Sequence, residues 1–443
     1  MNVRTYFKTT LADRPDLKAF TKNSSWLIGD KLMKLGVAVF VGAWVARFLG
    51  PAQYGQLSYA IAFISIFQAV SILGMDSILV KYVASAQYDP GQVLGTALRL
   101  RWIGALLAYL ALVVTVTLFL DDDPKLRSVT LIVGLMMFFQ ISDVIDLWFQ
   151  GNSQSKRTVI AKSASYIVTA GFKVVLILLG ARLVMFALAQ VLEAGLSALA
   201  LYFSYRLYKA SSKWSYDWKL AKLILSQSLP ILVSGLSILV YMRVGIIFLR
   251  EIKGSAEVGI YTAGAALSEV WYFIPMTLVT SAAPIVAKKK LHNESDYNAA
   301  LLNLFAAMWY FALTVSIVNF VIARPLMQVL YGARYTGSST VLSIHAFTLV
   351  AVGVGVVQSL WIVNEGKTRI SVYQAATGAA CSIIANFILV PRYGAAGAAA
   401  STVLAQFAQA FLINFIVAPK LFKMQLRSLA VFIKRPNRIS LGG

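Results

Sequence analysis

Cysteine is almost missing: the only one in 443 residues is Cys381, which excludes an intrachain disulfide and any cysteine-based metal cluster. Histidine is nearly as scarce, with His292 and His345 alone, too few for a Ser-His-Asp array or a histidine metal site. Charged residues make up only 13% of the chain, and acids are the rarer sign, 18 against 40 Lys and Arg. With 59% hydrophobic residues and a mean hydropathy of +0.73, too little polar surface remains for a soluble fold. Long polar stretches are missing too, the longest connection lying near residues 206 to 225, so no soluble domain fits. The first 25 residues contain no short apolar region before a small-residue cleavage site. No signal peptide is therefore expected to be removed, and the first span acts as its own insertion signal. Nucleotide motifs are incomplete. Gly366-Lys367-Thr368 ends like a phosphate loop, but Trp361 stands where the earlier glycine belongs, and Gly353-Val354-Gly355 is a fragment of a dinucleotide signature. No ATP, other cofactor or metal is expected, and energy would come from a coupling H+ or Na+ gradient or from the substrate's own.

What the chain has is apolar length. Twelve stretches suffice to cross a bilayer at about 20 residues each: near 26–48, 55–75, 98–120, 128–150, 159–179 and 183–205, then 226–249, 258–286, 299–321, 341–363, 370–390 and 396–418. The intervening Lys and Arg alternate, 27 on the side of the termini and 9 on the other. Positive charge marks the cytoplasm, so both termini are expected there, in a multi-pass protein of a bacterial inner membrane. The net charge of +22 then needs no nucleic acid. Loop cations such as Lys288, Lys289 and Lys290 set orientation and can contact anionic membrane lipids.

A weak repeat relates the halves. Gly50-Pro51-Ala52-Gln53-Tyr54-Gly55 and Gly254-Ser255-Ala256-Glu257-Val258-Gly259 lie 204 positions apart, each after the first span of its half. Trp148 before Lys156 and Arg157 is echoed by Trp361 before Lys367 and Arg369. The expected fold is an all-α polytopic membrane protein of about 12 transmembrane helices, in two pseudo-repeated six-helix lobes around a central cavity. Its predicted segments are an N-terminal cytoplasmic stretch 1–25, an N-lobe 26–206, a linker 207–225, a C-lobe 226–418 and a basic tail 419–443. Parallel repeats of this kind suit alternating-access transport. Pro230, Pro275 and Pro284 interrupt spans, where they permit bends.

Function then rests on charge inside the spans. An ionisable side chain near a helix centre costs roughly 2.5 to 3.5 kcal/mol on insertion scales, so these residues must face protein or water. The candidate cavity cations are Lys34, Lys162, Lys173 and Arg243; the candidate acids are Asp30, Asp143, Asp146, Glu193 and Glu269. Lys162, Thr169 and Lys173 recur on one helical face, as do Gln190, Glu193, Ser197 and Ser204, and Thr262, Glu269, Tyr272 and Thr280. Asp30 and Lys34 form an i, i+4 pair. Extended polar faces point to a solvated cavity; isolated interhelical ion pairs are the alternative. Cations suit phosphate oxygens, and Trp271 and Tyr272 could stack on sugar rings.

These residues carry a resemblance. Asp30-Lys31 after Asn23-Ser24-Ser25-Trp26-Leu27, Gly42-Ala43-Trp44-Val45-Ala46-Arg47, Leu73-Gly74-Met75-Asp76, Asp143-Val144-Ile145-Asp146, Tyr241-Met242-Arg243, Ser268-Glu269-Val270-Trp271 and Leu330-Tyr331-Gly332 resemble the Wzx-type O-antigen and lipid-linked oligosaccharide flippases. That family belongs to the multidrug/oligosaccharidyl-lipid/polysaccharide exporter superfamily. The resemblance implies a non-enzymatic transporter that carries an undecaprenyl-pyrophosphate-linked repeat unit from the cytoplasmic to the periplasmic leaflet, alongside other polysaccharide-assembly proteins. Two departures stand out: Gly245 where the family often has an acid, and Ala266 where it often has a base. An ion-coupled multidrug exporter and a membrane glycan polymerase or ligase are the alternatives.

Overall fold

Backbone amides inside lipid must find partners within their own segment, and this chain meets that demand with helices. The computed structural model describes residues 15–85, 87–120, 123–208 and 213–430, and no strand occurs among them. The stretches 1–14, 209–212 and 431–443, from the predicted N-terminal segment, linker and tail, lie outside the described residues. So do the side chains of the Asn23 to Leu27 motif and of Tyr241.

Among the described residues, nine helices are long and apolar enough to cross a membrane. Two exceed a single crossing, Gly29–Ser85 at 57 residues and Arg369–Val417 at 49. Each is broken at a glycine: Gly50 at φ 72°, ψ 169° and Gly394 at φ 55°, ψ −130°, backbone that a side chain would oppose. Divided there, and with Trp218–Lys253 included, the helices account for the twelve stretches. Proline does not make these breaks. Pro230 and Pro284 stay inside helices, whereas Pro51 directly follows the Gly50 break, at a start position where its missing N–H is harmless.

The elements are α1 (Pro15–Ile72), α2 (Asp76–Ser85), α3 (Pro90–Phe119), α4 (Pro124–Gly134), α5 (Asp143–Gly151), α6 (Ser155–Leu178), α7 (Leu183–Leu207) and α8 (Trp218–Lys253). They continue as α9 (Ser255–Glu269), α10 (Phe273–His292), α11 (Glu294–Tyr331), α12 (Gly337–His345), α13 (Thr348–Asn364), α14 (Arg369–Phe407) and α15 (Pro419–Leu429). Two Asp-Pro pairs start helices: the Asp89 carboxylate accepts from the Gln92 amide and that of Asp123 from the Leu126 amide, both at 3.0 Å.

The described residues pack as two compact units, one of Ala60–Leu236 with those up to Val45, the other of Ala46–Tyr59 with those from Ser237. In the first unit Trp148 makes edge contacts with Phe149, Tyr205 and Tyr208 at 5.1, 5.2 and 5.4 Å. Met75, Leu94 and Leu201 fill the space around this aromatic group.

The second unit centres on Tyr297, Phe305, Met308, Val354 and Trp361, with Leu421 and Met424 of α15 docked against them. Four buried amides tie its helices: Gln374 donates to Asn414 at 2.8 Å, and Asn414 and Gln425 both donate to Gln358, at 2.7 and 2.9 Å. Apolar burial gives helices little drive to associate in lipid, so close packing and such hydrogen bonds hold them. The repeat motif supplies the closest packing. A Cβ on Gly55 would lie 1.7 Å from the Ser255 carbonyl oxygen, and one on Gly259 only 2.1 Å from that of Pro51. Shifted by the repeat, 51 and 55 become 255 and 259, so one contact is made twice. Gly50 and Gly254 also share a backbone conformation, φ 72°, ψ 169° against φ 87°, ψ 174°.

Candidate functional site

In the first unit α6 gathers the sequence candidates. Ser163 donates to the Asp30 carboxylate, which also receives Lys34 Nζ at 2.9 Å, and Tyr166 donates to the Lys34 backbone oxygen at 3.3 Å. One residue before Ser163, Lys162 bridges Asp143 at 2.7 Å and Asp146 at 2.6 Å, and Gln150 donates to Asp146 at 2.9 Å. The two clusters therefore adjoin along α6. Tyr166 and Lys173 are seven residues apart, two turns on one face, and Lys173 reaches Glu193 of α7 at 3.1 Å.

All three candidate lysines thus have carboxylate partners, and Lys162 has two. An anion approaching Lys162 would have to displace charge already in place. The lysines and acids remain part-buried, with side-chain exposures between 12% and 35%, so these are not dry, sealed pairs.

Arg101 adds to this group and is absent from the cations that sequence reasoning singled out, although it falls within the predicted span 98–120. Because α3 starts at Pro90, Arg101 sits eleven residues inside the helix, about 16 Å along it. Its guanidinium pairs with Asp76 while its own Nε is buried without a partner. Asp76 in turn feels Asp143 and Asp146. The signal available was the offset from the Asp89-Pro90 helix start.

In the second unit the arrangement differs. Arg243 has no carboxylate within 4 Å among the described residues, and its Nε is buried with no hydrogen-bond partner. Glu269 is the acid on which it acts across a longer gap. Tyr261 donates to or accepts from Thr402 at 3.1 Å, and Ser268 meets His345 Nδ1 at 2.6 Å. Tyr272 is held through its hydroxyl by Thr348, and both it and Trp271 pack against Ala312, Leu349 and Val350. Gly245 leaves room for Asn386, whose Oδ1 would stand 3.1 Å from a Cβ at that position and has no partner of its own.

The stripe expected along residues 262 to 280 does not run along one continuous helix. A 3-10 turn at Val270–Tyr272 separates α9 from α10. It adds about 60° of rotation relative to continuous α-helix. Thr280 is exposed, and its hydroxyl donates to the carbonyl of Met276 in its own helix at 2.7 Å.

The sequence matches the polysaccharide biosynthesis protein family over residues 20–289, more than half of the chain. The chain belongs to that family. Its fold is that of the lipid II flippase MurJ in an inward closed conformation, at 17% identity and a TM-score of 0.68 over 92% of this chain and 91% of that one. An inward-facing multidrug resistance MATE transporter of the MOP superfamily matches at 15% identity and TM-score 0.68, over 91% and 96%. A further similar structure is a MOP superfamily transporter from Pyrococcus furiosus Vc1 with a binding pocket of reverse polarity, at 15% identity and TM-score 0.61 over 92% and 96%. Curated protein sequences give no match. The sequence-based expectations of an all-α, multi-pass architecture and of this family therefore hold.

Proposed function

We propose that the protein is a flippase that moves an undecaprenyl-pyrophosphate-linked oligosaccharide, an O-antigen or related repeat unit, from the cytoplasmic to the periplasmic leaflet of a bacterial inner membrane. The observation that carries this reading is membership of a polysaccharide biosynthesis family in a chain whose fold is shared with transporters. The lipid tail stays in the bilayer while the headgroup passes through a polar cavity by alternating access, both termini remaining cytoplasmic. Arg243 receives the diphosphate, because among the candidate cations its guanidinium has a donor, Nε, without a partner. Lys34, Lys162 and Lys173 contribute only as their carboxylates yield, and Glu193 and Glu269 tune that exchange or take a coupling H+ or Na+.

One observation favours a second reading. The first unit's clusters hold five carboxylates (Asp30, Asp76, Asp143, Asp146, Glu193) against four cations (Lys34, Arg101, Lys162, Lys173). That slight acidic excess suits a cationic drug, as an ion-coupled exporter would need. Surface glycan and its lipid-linked precursor, measured in a strain lacking the chromosomal copy, separate the two. Arg243→Ala should cut export by about tenfold to a hundredfold, the loss of one charge-assisted hydrogen bond worth roughly 1.5 to 3 kcal/mol. Arg243→Lys should retain more. Normal export by Arg243→Ala at normal protein level refutes its role, and drug efflux with no effect on glycan replaces the flippase reading.

A further inference from the structure

Helix α11 runs 38 residues, about 57 Å, from the Lys290, Glu294 and Glu365 ion-pair cluster at its start to Tyr331. Its far end is the one that the charge asymmetry puts outside, where only nine cations occur. Three of them lie at this end: Arg324 lines a cavity, Arg47 lies beside Gly332 of its lining, and Arg334 lies beside Gly50. A cavity of about 290 Å³ is lined by Arg324, Gln328, Gly332, Tyr335, Thr336 and Ser339 among others. Arg47 lies flat against Gly332: a Cβ on that glycine would stand 3.3 Å from Arg47 Nε and 3.6 Å from Cζ. Arg334 reaches back, its Nη1 3.8 Å from where a Gly50 Cβ would be. Tyr335 forms one wall and fixes the assembly by donating to the Ala46 carbonyl at 2.7 Å.

Charge at this spot is one-sided. No carboxylate lies within 4 Å of Arg47, Arg324 or Arg334 among the described residues, and the cavity lining contains no acid. Lys290 and Lys420 at the opposite end of α11 are, by contrast, both engaged by carboxylates. Gln328 and Thr336 add neutral hydrogen-bonding groups to the lining beside Arg324. Planar guanidinium forks match phosphate oxygens in pairs. The volume is at the small end for ligand pockets, which run from about 300 Å³ upward, so it suits a headgroup-sized anion and not an oligosaccharide. Gly332, at φ 82°, serves twice: it permits the turn and leaves Arg47 room to lie over the backbone.

We propose that this pocket binds a phosphate-bearing anion, a diphosphate or a phosphodiester. The diphosphate would come from a transported lipid headgroup arriving at the outer end, a source that rests on the flippase reading. The phosphodiester would come from an anionic phospholipid, independently of transport. Neither needs the interior cations.

Binding to the purified full-length protein tests the site without measuring transport, so its failure leaves the flippase assay to stand or fall alone. One arm titrates inorganic pyrophosphate into protein in neutral detergent by calorimetry; the other measures retention of phosphatidylglycerol against phosphatidylcholine by native mass spectrometry. At least one anion should bind. Arg324→Gln and Arg47→Gln should each weaken it about tenfold or more, Arg324→Lys should weaken it less, and Lys420→Gln should leave it unchanged. Pyrophosphate binding identifies a diphosphate, and phosphatidylglycerol retention alone identifies a phospholipid. Should Arg47→Gln fail to fold, Arg324→Gln gives the same reading from an exposed position. Binding of neither anion, or binding indifferent to Arg324→Gln in a variant with wild-type unfolding temperature, overturns the proposal.

Discussion

Replacing Gly55 by alanine adds one methyl group, and the structure has no place for it. The new Cβ would sit 1.7 Å from the Ser255 carbonyl oxygen, where ordinary contact begins at 3.4 Å. The two backbones must separate by roughly 1.7 Å, since the obstructing atom is main chain and no rotamer change can relieve it. Overpacking of this kind costs about 1 to 3 kcal/mol, offset by roughly 0.5 to 1 kcal/mol from the better helix former. A net loss of about 1.5 kcal/mol is expected, which for a unit near 200 residues lowers the unfolding temperature by about 3 to 6 °C. Gly259→Ala should behave alike, because its Cβ would meet the Pro51 carbonyl at 2.1 Å. The double variant should cost less than the sum, since one separation relieves both contacts. Gly355→Ala is the control: nothing lies within 4 Å of its Cβ position, so it should be neutral or slightly stabilising. Thermal unfolding in detergent, followed through thiol-dye reaction at half-buried Cys381, reads all four. The reasoning fails if Gly55→Ala unfolds together with Gly355→Ala, or if the two clasp substitutions add fully.

Lys162→Met should destabilise the first unit by leaving Asp143 and Asp146 without their shared cation. Asp146→Asn in the same chain should recover much of that loss, with a coupling of about 1 to 3 kcal/mol in a double-mutant cycle; independent effects would contradict the bridge. Exchanging Lys173 and Glu193 as Lys173→Glu with Glu193→Lys should restore protein accumulation lost in either single variant, as the pair at 3.1 Å requires. The Glu257 carboxylate accepts from the Ala395 amide at 2.7 Å just after the Gly394 break. Glu257→Ala should therefore cost about 1 kcal/mol in unfolding, and Gly394→Ala should disturb the same bond, since its Cβ would come 2.5 Å from Oε2.

The amino-acid sequence by itself determined how many times the chain can cross lipid, which segments do so, and that Asp30, Lys34, Lys162, Lys173, Arg243 and Glu269 must face protein or water. Lipid imposes these as one-dimensional rules: every backbone amide needs a partner close in sequence, and every exposed charge carries a cost. Even the close approach of Gly55 and Gly259 left a trace as a repeat of six residues. Tertiary structure alone decided the partners. Helical period fixes the direction of a side chain around its own axis, but not which neighbouring helix is presented to it. Hence Lys162 is shared by Asp143 and Asp146, Ser163 reaches Asp30, and Arg243 keeps a donor, Nε, without a partner. The 3-10 turn between α9 and α10 and the helix start at Pro90, which sets Arg101 eleven residues deep, likewise fix rotation and depth by amounts that residue spacing does not record.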